Sequence, residues 1–176
     1  MPEQQENMKQ IGILMGSDSD WPKINGVAKA LDEFGVGYEI QVMSAHRTPE
    51  LVSSYAGSAI SRGIRVIIAA AGGAAHLAGV CAAHTTLPVI GIPVATDLAG
   101  GLDSLLSTVQ MPGDIPVATV GTGSGGARNA GLLAIQILAL SDPSLQEKLV
   151  QYKKQLVDKV KSRNENLQNQ LTKDIP

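Results

Sequence analysis

Ile11-Gly12-Ile13-Leu14-Met15 is five uncharged residues in a row, and it runs directly into the small, acidic turn Gly16-Ser17-Asp18-Ser19-Asp20. A segment that is apolar at successive positions, not alternate ones, reads as a strand buried on both faces. Pro22 then opens a helix on which Ile24, Val27, Ala28, Leu31 and Phe34 recur at 3.6-residue spacing until Gly35 stops it. The unit repeats downstream. Tyr38 to Met43 reads as a second strand, Ser44 to Thr48 as a loop, and Pro49 to about Arg62 as a helix closed by Gly63. Arg65 to Ala71 reads as a third strand, Gly72-Gly73 as a turn, and Ala74 to about His84 as a short helix. Pro88 to Val94 and Pro116 to Val120 supply two more strands, with an amphipathic segment from Leu102 to Val109 between them and an apolar helix from Asn129 to Leu140 after them.

Buried strands alternating with helices call for a parallel sheet covered on both sides. The expectation is an α/β three-layer sandwich, flavodoxin-like or Rossmann-like, with about five central parallel strands over residues 10–141. Residues 1–9 are polar and aperiodic and read as a disordered leader. From Asp142 to residue 176 the character changes: Leu145, Leu149, Tyr152, Leu156 and Val160 form one apolar stripe on an otherwise polar helix. No strand remains for it to cover, so the stripe needs either the domain's own flank or a neighbouring subunit, and the low overall charge favours the neighbour. Residues from about Gln168 to Pro176 read as frayed.

The 176 residues fit one domain, and 44% apolar content can fill its core. With 14 Lys and Arg against 16 Asp and Glu the net charge is −2, which leaves no basic surplus for nucleic acid or an anionic membrane. The single cysteine, Cys81, has no partner for an intramolecular disulfide, and no apolar run reaches the about 18 residues of a membrane span. A cytoplasmic protein is expected. Charged residues are only 17% of the chain, against about 25% in average soluble domains, which suggests a surface partly covered by other subunits.

Ligands of an open parallel sheet bind beyond the carboxyl ends of its strands, so the loops there carry the chemistry. Ser17 and Asp20, in a loop with Gly16 and Ser19, suit a sugar-phosphate; the other reading of the loop is an N-cap at Ser19 or Asp20. Ser44, Ala45, His46 and Arg47 pair a forked phosphate donor with a proton carrier, while a lone histidine in such a turn also serves packing. The segment Ala71-Gly72-Gly73-Ala74-Ala75-His76-Leu77 has no side chain larger than a methyl before His76. It lets main-chain amides approach a small flat group such as a carboxylate or carbon dioxide, or it serves tight packing. His84 reads as structural. Gly121, Gly123 and Gly126 spell the dinucleotide fingerprint, but they stand after the last strand, and the acidic residue expected about 20 positions on, Asp142, follows a helix. No cysteine, histidine or carboxylate spacing suggests a metal site.

Several motifs taken together resemble a known family. They are Met15-Gly16-Ser17-Asp18-Ser19-Asp20-Trp21, Ser44 to Pro49, Ala71 to Leu77, Leu87-Pro88-Val89-Ile90-Gly91, and Asp103-Ser104-Leu105-Leu106-Ser107 with Val109-Gln110-Met111-Pro112. They are similar to the N5-carboxyaminoimidazole ribonucleotide mutases, the class I form of the phosphoribosylaminoimidazole carboxylase catalytic subunit. The likeness spans about Ile11 to Leu140 in unbroken order. It implies a step of de novo purine (IMP) biosynthesis in which a carboxylate moves from the exocyclic nitrogen of the aminoimidazole ribonucleotide to ring carbon C4, with no metal or organic cofactor. It further implies a flavodoxin-like homo-octamer whose C-terminal helices reach across neighbours. Ser17, Asp20 and Arg47 match the family's substrate-binding residues, and His46 its catalytic acid-base. The segment from Gly72 through Gly73, Ala74 and His76 to Leu77 matches the wall around the migrating carboxylate. Gly16, Ser19, Ser44 and Ala45 belong to the same binding loops. Ala78, Gly113-Asp114 and Gly121 depart from the family's usual residues.

Two alternatives remain. The sister carboxylase uses free carbon dioxide and the unmodified ribonucleotide, and it usually has lysine at the position of Arg47. A non-catalytic nucleotide- or flavin-binding module belongs to another class, and 3% aromatic content offers few rings for a flavin to stack on.

Overall fold

The computed structural model describes residues 8–173, so most of the expected leader and the last three residues lie outside the described residues. Five parallel strands, β1 (Lys9–Met15), β2 (Gly37–Val42), β3 (Val66–Gly72), β4 (Val89–Val94) and β5 (Ala118–Thr119), form one sheet in the order β2-β1-β3-β4-β5. Helices lie on both sides of it, which is the flavodoxin-like sandwich. The central strands are buried at nearly every position, as the apolar runs require, and β1 starts at Lys9, two residues before its run. β5 is only two residues long. It stands at the sheet edge, and Pro116 just before it has no N–H for a ladder bond.

The seven α-helices are α1 (Trp21–Ile24), α2 (Gly26–Phe34), α3 (Pro49–Ser58), α4 (Leu77–Ala83), α5 (Leu102–Val109), α6 (Gly123–Ala139) and α7 (Pro143–Lys173). The helix expected from Pro22 to Gly35 is interrupted at Asn25, and it ends as expected with Gly35 left-handed at φ 73°. α3 passes through a short 3-10 turn, Ile60–Arg62, before Gly63. Leu14, Met43, Val52, Ala56, Ile67, Leu77 and Cys81 join β1, β3, α3 and α4 in one buried cluster. At α2 and α6 a Cβ on Gly131 would lie 2.9 Å from the Val27 carbonyl oxygen, so these helices meet backbone to backbone.

Two helix starts differ from expectation. α4 begins at Leu77 and not at Ala74, which leaves residues 73–76 as an open loop. α6 begins six residues early, at Gly123, because the glycine run that weakens helix propensity is needed for close approach. A Cβ on Gly126 would stand 1.6 Å from the Gly121 carbonyl oxygen. Of the fingerprint glycines, Gly126 therefore serves this close approach, and Gly123 serves a left-handed backbone at φ 82°. Asp142 serves α7, because its Oδ1 accepts from the N–H groups of Ser144 (2.9 Å) and Leu145 (3.2 Å), an N-cap.

The chain divides into two compact units that break after Ile137. Within the second, the stripe expected on α7 is buried at Leu145 and Leu149 and exposed at Leu156 and Val160. The helix stays continuous from Gln168 to Lys173, where fraying was expected; the rest of that stretch lies outside the described residues.

Candidate active site

In the order β2-β1-β3-β4-β5 the strand on each side of β1 comes later in the chain, so β1 and β3 flank the switch point where loops part to opposite faces. A cavity of about 360 Å³ opens there, lined by Gly16, Ser17, Asp20, Ser44, Ala45, His46, Arg47, Ala71, Gly72, Ala74, His76 and Leu77. Three loops separated by about 30 residues in sequence thus converge. Of the binding-loop residues expected from sequence, Ser19 and Gly73 are not part of this lining.

The loop after β1 is held by its own hydroxyls. Ser17 Oγ accepts from the Ser19 N–H at 3.3 Å and shares a hydrogen bond of 2.8 Å with Ser19 Oγ. Ser17 thus caps the short 3-10 turn Asp18–Asp20, and Asp20 is carried to the cavity. Burial pushes the Asp20 carboxyl above its ordinary value, and the nearby Lys23 charge offsets only part of this.

The loop after β2 is a turn folded around Ser44. Its carbonyl accepts from Thr48 N–H at 2.9 Å, and its Oγ accepts from the N–H groups of His46 (3.3 Å) and Arg47 (3.2 Å). Pro49 opens α3 immediately after it. Arg47 Nη2 donates to the Gly16 carbonyl at 2.9 Å, so the guanidinium spans from the second loop to the first. A second cavity of about 330 Å³ shares Gly16, Ser17, Ser44 and Arg47 with the first. The guanidinium and the hydroxyls of Ser17 and Ser44 together suit a phosphate or another oxyanion.

His46 meets the third loop directly. Its Nε2 lies 2.7 Å from Nδ1 of His76, with ring centroids 4.9 Å apart and planes at 80°. One of these nitrogens carries the hydrogen and the other accepts it. Sequence spacing left the place of His76 open; the structure puts it in the cavity wall, against His46.

Sequence reasoning missed what stands behind the third loop. α5 was expected to be amphipathic, and it is, but inverted: Ser104 and Thr108 are buried, while Leu102, Leu106 and Val109 are exposed. The inward hydroxyls are all bonded. Gly73 N–H donates to Ser104 Oγ at 2.9 Å, Ser107 Oγ donates to the Gly73 carbonyl at 3.1 Å, and Thr108 Oγ1 donates to the Ser104 carbonyl at 2.7 Å. The available signal was three hydroxyls at i, i+3 and i+4 on one helix face. Among the described residues no group of three or more His, Cys, Asp or Glu is placed to hold a metal ion, and no helix is long and apolar enough to cross a membrane.

A family model described as AIR carboxylase matches residues 10–159. The chain belongs to the AIR carboxylase family. Among its relatives, an N5-carboxyaminoimidazole ribonucleotide mutase of Mycobacterium tuberculosis is 52% identical over 168 residues, covering 94% of this chain and 95% of that protein. One of the same name from Pyrococcus abyssi is 56% identical over 149 residues, covering 85% and 84%. The crystal structure of Treponema denticola PurE superposes with a TM-score of 0.81 at 30% identity, over 89% of this chain and 97% of that one. The family covers all three cavity loops and the first turns of α7.

Proposed function

We propose that this member of the AIR carboxylase family is an N5-carboxyaminoimidazole ribonucleotide mutase. It converts the N-carboxylated aminoimidazole ribonucleotide to the 4-carboxy isomer in de novo purine synthesis. The observation that carries the reading is the meeting, in one cavity at the switch point, of an arginine, an imidazole and a wall of bare main chain. Relatives of that name at 52% and 56% identity support it.

In this reading Arg47, Ser17 and Asp20 hold the ribose phosphate and sugar. The exocyclic N–C bond breaks, its electron pair stays on nitrogen, and carbon dioxide is released inside the cavity. His46 gives the nitrogen a proton. C4 then bonds to the carbon dioxide, and His46 takes back the proton that C4 loses, so the net change is an isomerisation with no proton consumed. A positioned acid-base group of this kind contributes about 10²- to 10⁴-fold in rate. The wall from Gly72 to Leu77 keeps water out and carbon dioxide in. The reaction needs no metal or organic cofactor.

The protein works in the cytoplasm as a homo-octamer, with α7 packed on a neighbouring subunit. The exposed Leu98, Leu102, Leu106 and Val109 on and before α5, and Val157, Val160, Leu167 and Leu171 on α7, are apolar surface of the kind subunit contacts cover.

Incubating the purified protein with the N-carboxylated and the unmodified ribonucleotide, each with and without bicarbonate, tests this reading. Conversion of the N-carboxylated compound alone is expected. Preferred carboxylation of the unmodified compound with bicarbonate would reassign the chain to the sister carboxylase, and inertness toward both would make it a binding module.

A further inference from the structure

An amphipathic helix that only packs turns its leucines inward and its hydroxyls to water. α5 does the opposite, with Ser104 fully buried and Leu102 and Leu106 46% and 48% exposed. A buried hydroxyl is tolerated when bonded, so the partner it bonds tells what it is for. Here the partner is one residue of the cavity loop. Gly73 sits left-handed at φ 67°, its N–H held by Ser104 Oγ at 2.9 Å, while the one Ser107 hydroxyl hydrogen is shared between the Asp103 carbonyl at 2.7 Å and the Gly73 carbonyl at 3.1 Å. The two hydroxyls lie one helical turn apart and reach both ends of the Gly73 backbone, with Ser104 the firmer hold.

α5 is itself anchored. Asp103 Oδ1 accepts from Ser104 N–H at 2.9 Å and from Thr96 Oγ1 at 2.6 Å, which ties the first turn of α5 to the chain leaving β4. On the cavity side, the Gly73 carbonyl also accepts from Ala75 N–H (2.8 Å), and the Ala74 carbonyl accepts from His76 N–H (2.9 Å). The conformation that carries Gly72, Ala74 and His76 to the cavity is therefore fixed through Gly73, and Gly73 is fixed by α5. His76, paired with His46 at 2.7 Å, ties the far end of this loop, and nothing before it is larger than a methyl, so the hold on Gly73 itself comes from α5.

We propose that Ser104 and Ser107 are positioning residues that keep the main-chain wall closed while carbon dioxide is free in the cavity. The inference rests on the mutase reading. After the N–C bond breaks and nitrogen takes its proton, carbon dioxide has two fates. It bonds to C4, which releases a proton, or it escapes and hydrates to bicarbonate and a proton, leaving the unmodified ribonucleotide. The wall decides the partition, and loosening Gly73 shifts it toward escape.

The test uses the full-length protein and N-carboxylated substrate bearing 13C in the migrating carboxylate, in unlabelled bicarbonate, with loss in enzyme-free samples subtracted. The readout is label lost per molecule of 4-carboxy product, a ratio independent of how much enzyme is folded. Ser104→Ala raises it about tenfold, the factor one lost hydrogen bond of ordinary net strength supplies, and Ser107→Ala, whose hydroxyl is shared with the Asp103 carbonyl, raises it less, about threefold. Ser107→Thr, which keeps the hydroxyl, returns it toward wild type. Leu31→Ala, a core truncation on α2 outside the buried cluster that holds Leu77, lowers stability without moving the ratio. A wild-type ratio in both alanine variants overturns the proposal, as does an equal rise in Leu31→Ala. Failure of the wild-type protein to isomerise the compound overturns the mutase reading, and this inference with it.

Discussion

Gly12 lies mid-strand in β1, and a Cβ placed on it would stand 2.2 Å from Tyr55 Oη. Ordinary contact between such atoms needs about 1 Å more, and Tyr55 has little freedom to retreat. Its hydroxyl donates to Glu39 Oε1 at 2.8 Å, and the Arg62 guanidinium covers its ring at 4.4 Å. Gly12→Ala thus forces either a strained strand or the loss of a hydrogen bond to a carboxylate. Overpacking costs about 1–3 kcal/mol and a lost charged hydrogen bond about 1.5–3, so a loss of about 2–4 kcal/mol is expected. Tyr55→Phe removes the obstructing atom and leaves the nearest ring carbon at 3.1 Å, a distance that a small ring shift relieves. In that background Gly12→Ala should cost under about 1 kcal/mol. Urea unfolding of the four proteins at one protein concentration closes the double-mutant cycle, with a coupling of at least about 1 kcal/mol expected. Additivity within about 0.5 kcal/mol would show that the Tyr55 hydroxyl does not occupy the space above Gly12.

Three further outcomes follow from particular side chains. His46→Asn should keep substrate affinity within a few-fold while turnover falls by about 10²- to 10⁴-fold; binding isotherms and single-turnover rates check it, and unimpaired conversion excludes His46 as the proton carrier. At Glu39 burial opposes the charge, but the hydrogen bonds from Arg62 and Tyr55 outweigh it and hold the carboxyl below its ordinary 4.5. Its contribution is thus present above that value and is lost as pH falls through the lower folded-state value, so the stability gap of Glu39→Gln, about 1 kcal/mol at pH 7, should close on acidification. A gap that persists or widens in acid contradicts this sign. Burial pushes the Cys81 thiol up to about 12, so at pH 8 a thiol reagent should label it only as fast as the protein unfolds, and rapid labelling of the folded protein would place it at the surface.

Much of the fold is legible because its cause is local. Runs such as Ile11 to Met15 and Val66 to Ala70 have no polar position to face water, and that alone demands a doubly covered parallel sheet. Pro49 and Gly35 mark helix ends through their own backbone chemistry. What the sequence hides depends on partners far along the chain. The start of α6 is obscured because Gly126 is set by contact with the Gly121 carbonyl and not by helix propensity. The inward face of α5 is obscured because a serine at position 104 looks like solvent surface until the Gly73 amide is placed against it. The same holds in the site. Strand ends identify the loops of Ser17, His46 and Gly72, yet the approach of His76 to His46 across 30 residues of sequence depends on where α4 begins.

The most direct test of the account is a crystal structure of the His46→Asn variant, in which turnover stalls, with the N-carboxylated ribonucleotide bound. The account predicts the aminoimidazole ring between position 46 and the main chain of Gly72 to Ala74, its carboxylate facing that wall and its phosphate at Arg47. A ring lodged anywhere out of reach of position 46 would contradict it.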